Sequence, residues 1–358
     1  MKRLFSPLAW ILFLGAFILS ACGGNSTTEP TLAETLTFYD WAEDVPQEVF
    51  DAFEQEYGVK VTYLTYETQE AAIDEMRAGQ AFDVVVMESR FVPLLTREGL
   101  LAQIQLTNIP NFKNISANFR DLAYDPGNQY TIPFNWGTNG ILYRTDLVEE
   151  PVTRWADLWD ERYSGMVGLW DSQPRETLGL TLRSLGYSAN SENPAELEAA
   201  LEALLELKPR MHALEEFDSE TCADPLANGD LAMAMGWAGD LALGLELNEN
   251  IAYVLPEEGA MLWGDVFVIS SNTASQHTAE VFLNFLLRPE IAAMIADFNY
   301  YATPNEAAYP FIAAEIFSDP AIFPPNADLA NAEILLPLSV EGQALYDRIW
   351  ERYLSSDQ

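Results

Sequence analysis

Cysteine and histidine are nearly missing from this chain. Only Cys22, Cys222, His212 and His277 occur in 358 residues. So few leave no cysteine-based metal site and little from which to build a zinc centre or a His-dependent triad. His212 sits near the end of a Leu/Glu-rich stretch and His277 just before an apolar one, places for surface or capping residues. Basic residues are scarce too: 18 Lys and Arg stand against 55 Asp and Glu, a formal charge of −37. That balance argues against nucleic acid and anionic substrates, and favours a cationic ligand by steering. No glycine-rich phosphate loop follows a strand, so neither a nucleotide cofactor nor a metal is expected. Beyond the N-terminus, no apolar run is long enough to span a membrane.

The N-terminus itself reads as an export signal over residues 1–22. Lys2 and Arg3 form its positive region, and Leu8 to Leu19 its apolar region. It ends in Leu19-Ser20-Ala21-Cys22, which resembles the lipobox of bacterial lipoproteins, where the cysteine is lipidated and becomes the mature N-terminus. With Cys22 lipidated, Cys222 has no partner for an intramolecular disulfide. Loss of Lys2 and Arg3 takes the charge from −37 to −39. Residues 23–35 are small and polar, a flexible tether.

The remainder is long enough for two domains. Glu34 to Trp41 alternates as a strand, Gln47 to Tyr57 is an amphipathic helix stopped by Gly58, and Val59 to Leu64 is a second strand. Thr68 to Ala78 is a second helix, and Ala81 to Met87 a third strand. Such alternation predicts a parallel α/β sheet with ligands beyond the carboxyl ends of the strands. Trp41, Glu43, Asp44, Glu88 and Arg90 then lie at the mouth of the first lobe. The chain changes character at Gly140-Ile141-Leu142-Tyr143, a crossing into a second lobe. There Met166 to Trp170 reads as a strand, and Asn193-Pro194-Ala195-Glu196 as a helix start with a capping-box glutamate.

Ala260 to Ile269 is a buried strand with a carboxylate in its middle. Residues two apart share a strand face, so Trp263 and Asp265 project together. Trp237 and Asp240 form a second indole–carboxylate pair after another apolar run. Aromatic walls with carboxylates between them suit an organic ammonium ion. For either pair alone, a core indole beside a turn-capping acid is the better reading; two such pairs tip the balance to a site. Glu176, in the first turn of a helix, also suits the helix dipole.

Phe38-Tyr39-Asp40-Trp41, Ser184-Leu185-Gly186-Tyr187-Ser188, Trp263-x-Asp265, Phe285-Leu286-Leu287-Arg288-Pro289 and Tyr301-x-Thr303-Pro304-Asn305 together resemble the spermidine/putrescine-binding proteins of bacterial polyamine ABC importers. The likeness runs from about Leu36 to Tyr353. It implies a two-lobe periplasmic-binding-protein fold of type II, each lobe a mixed sheet flanked by helices, joined by crossing strands and closing as a hinge. The implied lobes are 36–140 plus 263–309, and 141–262 plus 310–358.

The resemblance also implies roles for particular residues. Trp41 and Trp263 sandwich the methylene chain, Trp237 and Tyr301 add aromatic contacts, and Glu176 and Asp265 hold amino groups. Asp240 is similar to an acid of putrescine-preferring members, and Glu43 falls where those carry an aspartate. Asp44 and Arg90 stand where the family has tyrosines, and Leu336 where it has a glutamine; Arg90 can pair with Glu88 or Asp44 across the mouth, or accept a ligand carboxylate. The loop from Asp171 to Glu176 is one residue longer than usual, so either Asp171 or Gln173 takes the place of the family's ligand acid.

The expectation is a monomeric, lipid-anchored binding protein, outside the cytoplasmic membrane, that passes a polyamine to an ABC permease. The alternatives are another organic cation, an opine-like amine or a sugar in the same fold, and a carboxylate-pair hydrolase using Glu176 and Asp265.

Overall fold

The computed structural model describes residues 31–212 and 223–356. The export signal with its lipobox and Cys22, all of the tether up to residue 30, and Cys222 lie outside the described residues. The first lobe opens with β1 (Thr35–Asp40), α1 (Gln47–Tyr57), β2 (Lys60–Thr65), α2 (Gln69–Arg77), β3 (Val84–Glu88) and α3 (Val92–Arg97), followed by the long β4 (Thr131–Arg144). The second continues with β5 (Val167–Gly168), α4 (Pro174–Ser184), α5 (Pro194–Leu207), α6 (Ala223–Asn228), β6 (Met233–Trp237), α7 (Ala238–Leu247) and β7 (Ile251–Val254). Then come β8 (Met261–Ile269), α8 (Gln276–Leu286), α9 (Pro289–Asn299), α10 (Ala314–Phe317), β9 (Glu333–Ile334) and α11 (Val340–Ser355). Among the described residues no helix is long and apolar enough to cross a membrane.

Local chemistry sets several of these boundaries. Gly58 takes the left-handed conformation (φ 69°) that ends α1, and its N–H closes on the Glu54 carbonyl. The Thr68 hydroxyl caps α2 by accepting from the Ala71 N–H at 3.1 Å. Asn193 caps α5 with Pro194 as its first residue, as expected. Glu196, however, is no capping-box partner: its carboxylate accepts from the Ser191 hydroxyl and the Asn193 side-chain amide. The strand expected over Met166 to Trp170 pairs only at Val167–Gly168; Leu169 and Trp170 continue as buried chain.

The strands lie in the order β2-β1-β3-β8-β4-β6-β5, with β7 added to β4 and β9 to β8. β1 is parallel to both β2 and β3, as the strand–helix alternation predicts, whereas β8 returns antiparallel between β3 and β4. β4 and β8 cross from one lobe to the other. Up to Asn139, β4 pairs with β8; from Asn139 onward it pairs with β6 and β7. β8 makes the matching change, pairing with β9 at Met261–Leu262 and with β3 from Asp265. Neither β9 nor β3 pairs with Trp263 and Gly264, at the junction.

Apolar residues close separate cores on either side of that junction. In the first lobe, one face of the sheet buries Phe38, Val84, Val86 and Phe267 under Phe50, Phe53, Phe282 and Phe285 of α1 and α8. The rings there pack edge-on or tilted, with centroids 4.9–5.7 Å apart for Phe53–Phe282, Phe38–Phe50 and Phe38–Phe282. The other face buries Tyr39, Val85, Met87 and Val268. The second lobe packs Trp155, Trp170, Leu178, Leu201, Met233 and Tyr353 together. A smaller cluster joins Ala292 and Ala296 of α9 to Ile312, Ile316 and Ile322.

Candidate functional site

On the face of the first-lobe sheet that buries Phe38, Val86 and Phe267, each strand passes from apolar to acidic. Two residues beyond Phe38 is Asp40, two beyond Val86 is Glu88, and two before Phe267 is Asp265. A step of two keeps a side chain on its face, so the apolar face ends in a row of carboxylates. The ladder fixes their neighbours: Val86 opposes Phe267, and Glu88 opposes Asp265. On its other side Asp265 is paired with Asn135, just past an irregularity in β4 after Pro133. All three acids are buried, Asp40 completely and Asp265 to 7% exposure.

A fourth acid comes from the loop after β1. Asp44 is buried, and its carboxylate accepts from Asn299 at 2.7 Å and from Asn135 at 3.4 Å. A fifth, Glu176, projects from the first turn of α4 in the second lobe. Among the described residues the cation in ion-pair contact with this group is Arg90. Its Nε lies 2.8 Å from Glu88 and its Nη2 3.2 Å from Glu176, so one guanidinium ties the two lobes together.

Burial without sufficient countercharge raises the affinity of these carboxylates for protons. Burial pushes Asp40 well above the ordinary carboxylate range, and Asp44 and Asp265 add to it. Asp44 is pushed up to about 6 by burial, against the pull of its two asparagine donors. Glu88 is pushed up to about 7, again by burial first; Arg90 lowers it and Glu176 raises it. Asp265 rises well above its ordinary value through burial, then through Asp44 and Glu88, with Arg90 opposing. For Arg90 the sign is reversed: burial pulls its pKa down, yet Glu176 and Glu88 outweigh that and leave it raised. Asp265 has no hydrogen-bond donor among the described residues, and one oxygen each of Asp40 and Glu176 is buried without one. The arrangement is a buried acidic cluster suited to accepting N–H donors that carry positive charge.

Aromatic side chains wall the same space. Trp263 and Asp265 share a face of β8, as their spacing predicts. The Trp263 indole lies over its strand partner Gly137, where any side chain would collide with it. Tyr301 meets Trp263 edge-to-face at 4.8 Å, and Trp237 lies 6.2 Å from Trp263 and 4.9 Å from Trp170. Tyr301 in turn rests on Gly239 at the start of α7, where a β-carbon would stand 2.9 Å from its ring. Trp41 packs on Tyr66 at 4.7 Å, one strand away from Asp40. The cleft is closed, since Arg90–Glu176 and Tyr301–Gly239 both span it.

Not every residue singled out in the sequence reaches this cluster. Asp171 turns to Lys208 and the Tyr353 hydroxyl, where burial raises its pKa and Lys208 lowers it, so it is not gathered with the other acids. Gln173, the other possibility in that loop, directly precedes α4. Glu43 is exposed, in a left-handed turn (φ 57°). Asp240 is buried, and one of its oxygens accepts from the Trp237 N–H at 2.7 Å, so it caps α7. Leu336 is 41% exposed. Two residues of the site were missed in the sequence. Asp40 looked like the end of a strand, although an acid two residues after a buried Phe is the pattern that also marks Glu88. Asn139 is fully buried where β4 changes partners, with Trp237 as its neighbour, and neither end of its amide has a hydrogen-bond partner among the described residues.

The profile of the family described as bacterial extracellular solute-binding protein matches residues 48–324. A spermidine/putrescine-binding periplasmic protein of Escherichia coli (strain K12) is 34% identical over 326 residues, covering 90% of this chain and 91% of its own. The putrescine-binding periplasmic protein PotF of the same organism is 31% identical over 312 residues, or 82% of this chain and 84% of its own. Among solved structures, the spermidine/putrescine ABC transporter substrate-binding protein PotD of Streptococcus pneumoniae superposes with a TM-score of 0.81 at 31% identity, over 90% of this chain and 99% of that one. The Tp0655 (TpPotD) lipoprotein of Treponema pallidum gives 0.80 at 26% identity, over 89% and 99%.

Proposed function

This chain belongs to the bacterial extracellular solute-binding proteins, and we propose that it captures a polyamine between two closing lobes of type II periplasmic-binding-protein fold and delivers it to an ABC permease. One observation carries the reading: Asp40, Asp44, Glu88, Glu176 and Asp265 are buried together, with the Arg90 guanidinium between two of them and indoles close by. Five acids against Arg90, with Arg175 acting on Glu88 and Glu176 without an ion-pair contact, leave an excess of negative charge that a di- or triammonium ion satisfies. Each buried methylene contributes about 0.8 kcal/mol, so a four-carbon chain contributes roughly 3 kcal/mol. The ammonium groups cost several kcal/mol to desolvate, an amount offset where carboxylates meet them.

In this reading Asp265 is the central counter-ion, with Asp40, Asp44 and Glu88 beside it. Trp41, Trp263, Trp237 and Tyr301 cover the methylenes, and Glu176 closes the site from the second lobe. Asp240 serves through the placement of Trp237, while Glu43 and Asp171 lie at the margin. The lobes are residues 36–140 with 263–309, and 141–262 with 310–358, except that Ile312, Ile316 and Ile322 pack on α9 of the first lobe. The protein binds without turnover, as a monomer held by lipid on Cys22 at the outer face of a cytoplasmic or outer membrane. A tether of the length of residues 23–35 gives the lobes room to reach a permease. Mass spectrometry of ligand retained through purification, followed by calorimetry with putrescine and spermidine, tests the reading. A retained sugar, or no heat with either amine, defeats it.

A further inference from the structure

We propose that Arg90 is a specificity-determining residue, a built-in cation that occupies one ammonium position and restricts the site to short diamines. The inference rests on the polyamine reading. Arg90 follows the last acid of β3 and carries its charge back into the cluster, where its side chain is 13% exposed. It contacts Glu88 from one lobe and Glu176 from the other, at 2.8 and 3.2 Å, and its guanidinium carbon sits 5.0 Å from the Phe91 ring centroid. Two of the five acids thus already share a positive partner.

Among the described residues the acids of this group without an ion-pair partner are Asp40, Asp44 and Asp265, and they lie together. Asp44 and Asp265 influence Asp40, and Asp44 also influences Asp265. A ligand therefore finds one strong ammonium subsite there. Its far end approaches a guanidinium already held by two carboxylates. A diamine places its second ammonium where the negative charge still exceeds the positive. A triamine must bring a third charge against Arg90 or break an ion pair spanning the lobes. Like charges forced together in a desolvated site discriminate strongly, and this is how a binding site rejects a competitor that is otherwise similar. Arg rather than Lys suits the task, because its planar fork serves two carboxylates at once.

The test is calorimetry with putrescine and spermidine on the wild type, Arg90→Gln, Arg90→Met and Arg90→Lys. Two neutral replacements are made so that either folded one suffices. The wild type is expected to prefer putrescine, Arg90→Lys to retain that preference, and the neutral variants to shift the ratio toward spermidine by about tenfold or more, the scale of one charge pair. If the wild type binds putrescine and a neutral variant leaves the ratio within about threefold, the proposal fails and the polyamine reading stands. A wild type that prefers spermidine overturns the proposal likewise. A wild type that binds neither amine removes both.

Discussion

Glu88 and Asp265 face each other directly across the antiparallel ladder of β3 and β8. Opposed like charges destabilise a strand pair, and here both are buried. Ionising both is therefore disfavoured in the ligand-free fold, a cost that a bound cation relieves. Asp265→Asn keeps the shape and removes that repulsion. Its polyamine affinity should fall by about 2–5 kcal/mol, roughly 30-fold to several thousand-fold, while the ligand-free melting temperature holds or rises. Calorimetry and thermal melts on one preparation check this; early melting with normal binding would make Asp265 a structural residue.

Affinity should depend on pH in a definite direction. Asp44 and Glu88 are pushed up to about 6 and about 7, whereas aliphatic amines stay protonated to about pH 10. Below pH 6 the ligand must displace protons from both acids. Binding is expected to tighten from about pH 5.5 to 7.5 and to release protons, seen as a dependence of the calorimetric heat on buffer ionisation. A heat independent of buffer at pH 6.5 would contradict it.

Stability without ligand runs the other way. The folded-state values of Asp44 and Glu88 lie above their ordinary 3.8 and 4.5, so the folded protein holds protons that the unfolded chain has released. Their contribution is fully present below about pH 4 and is lost as pH rises through 6 to 7. The Glu88→Gln variant should show a flatter decline in melting temperature between pH 4.5 and 7.5 than the wild type. Parallel declines in the two proteins would assign the effect elsewhere.

Gly137 sets the clearance for Trp263. The variant Gly137→Ala forces the indole to move, because the added methyl would overlap it. We expect weaker binding by about tenfold, on the scale of one displaced aromatic contact, with fluorescence reporting an altered Trp263 environment. Unchanged affinity would show that the wall has slack.

Cys22→Ala should release the protein from the membrane fraction, since firm anchoring needs more than one acyl chain and the lipobox cysteine supplies the attachment point. Equal partition of variant and wild type would argue for another anchor.

Sequence reasoning captured what depends on spacing and missed what depends on folding. The shared face of Trp263 and Asp265 follows from a step of two, and the end of α1 from Gly58. Asp40 needed the register of β1 against β3 to show that its face is the one carrying Glu88. Arg90 had three candidate partners in the sequence: Glu88, Asp44 or a ligand carboxylate. The structure chose Glu88 and added Glu176, some 86 positions away and brought near only by closure of the second lobe. Asp171 went astray for a similar reason, since the direction of a loop carboxylate is decided by Lys208 and Tyr353, which the local sequence does not mention.

The exchange of neighbours along β8 gives the molecule a gauge of its own. Trp263 and Gly264 fall in the gap between β9 and β3, so β4 pairs with them along one edge of β8 while no ladder covers the other edge. When the lobes part, the Gly264 amide should exchange its hydrogen with solvent long before those of Val266 or Val268, which keep β3 beside them. The rate at that single amide would then count opening events without any label attached to the protein.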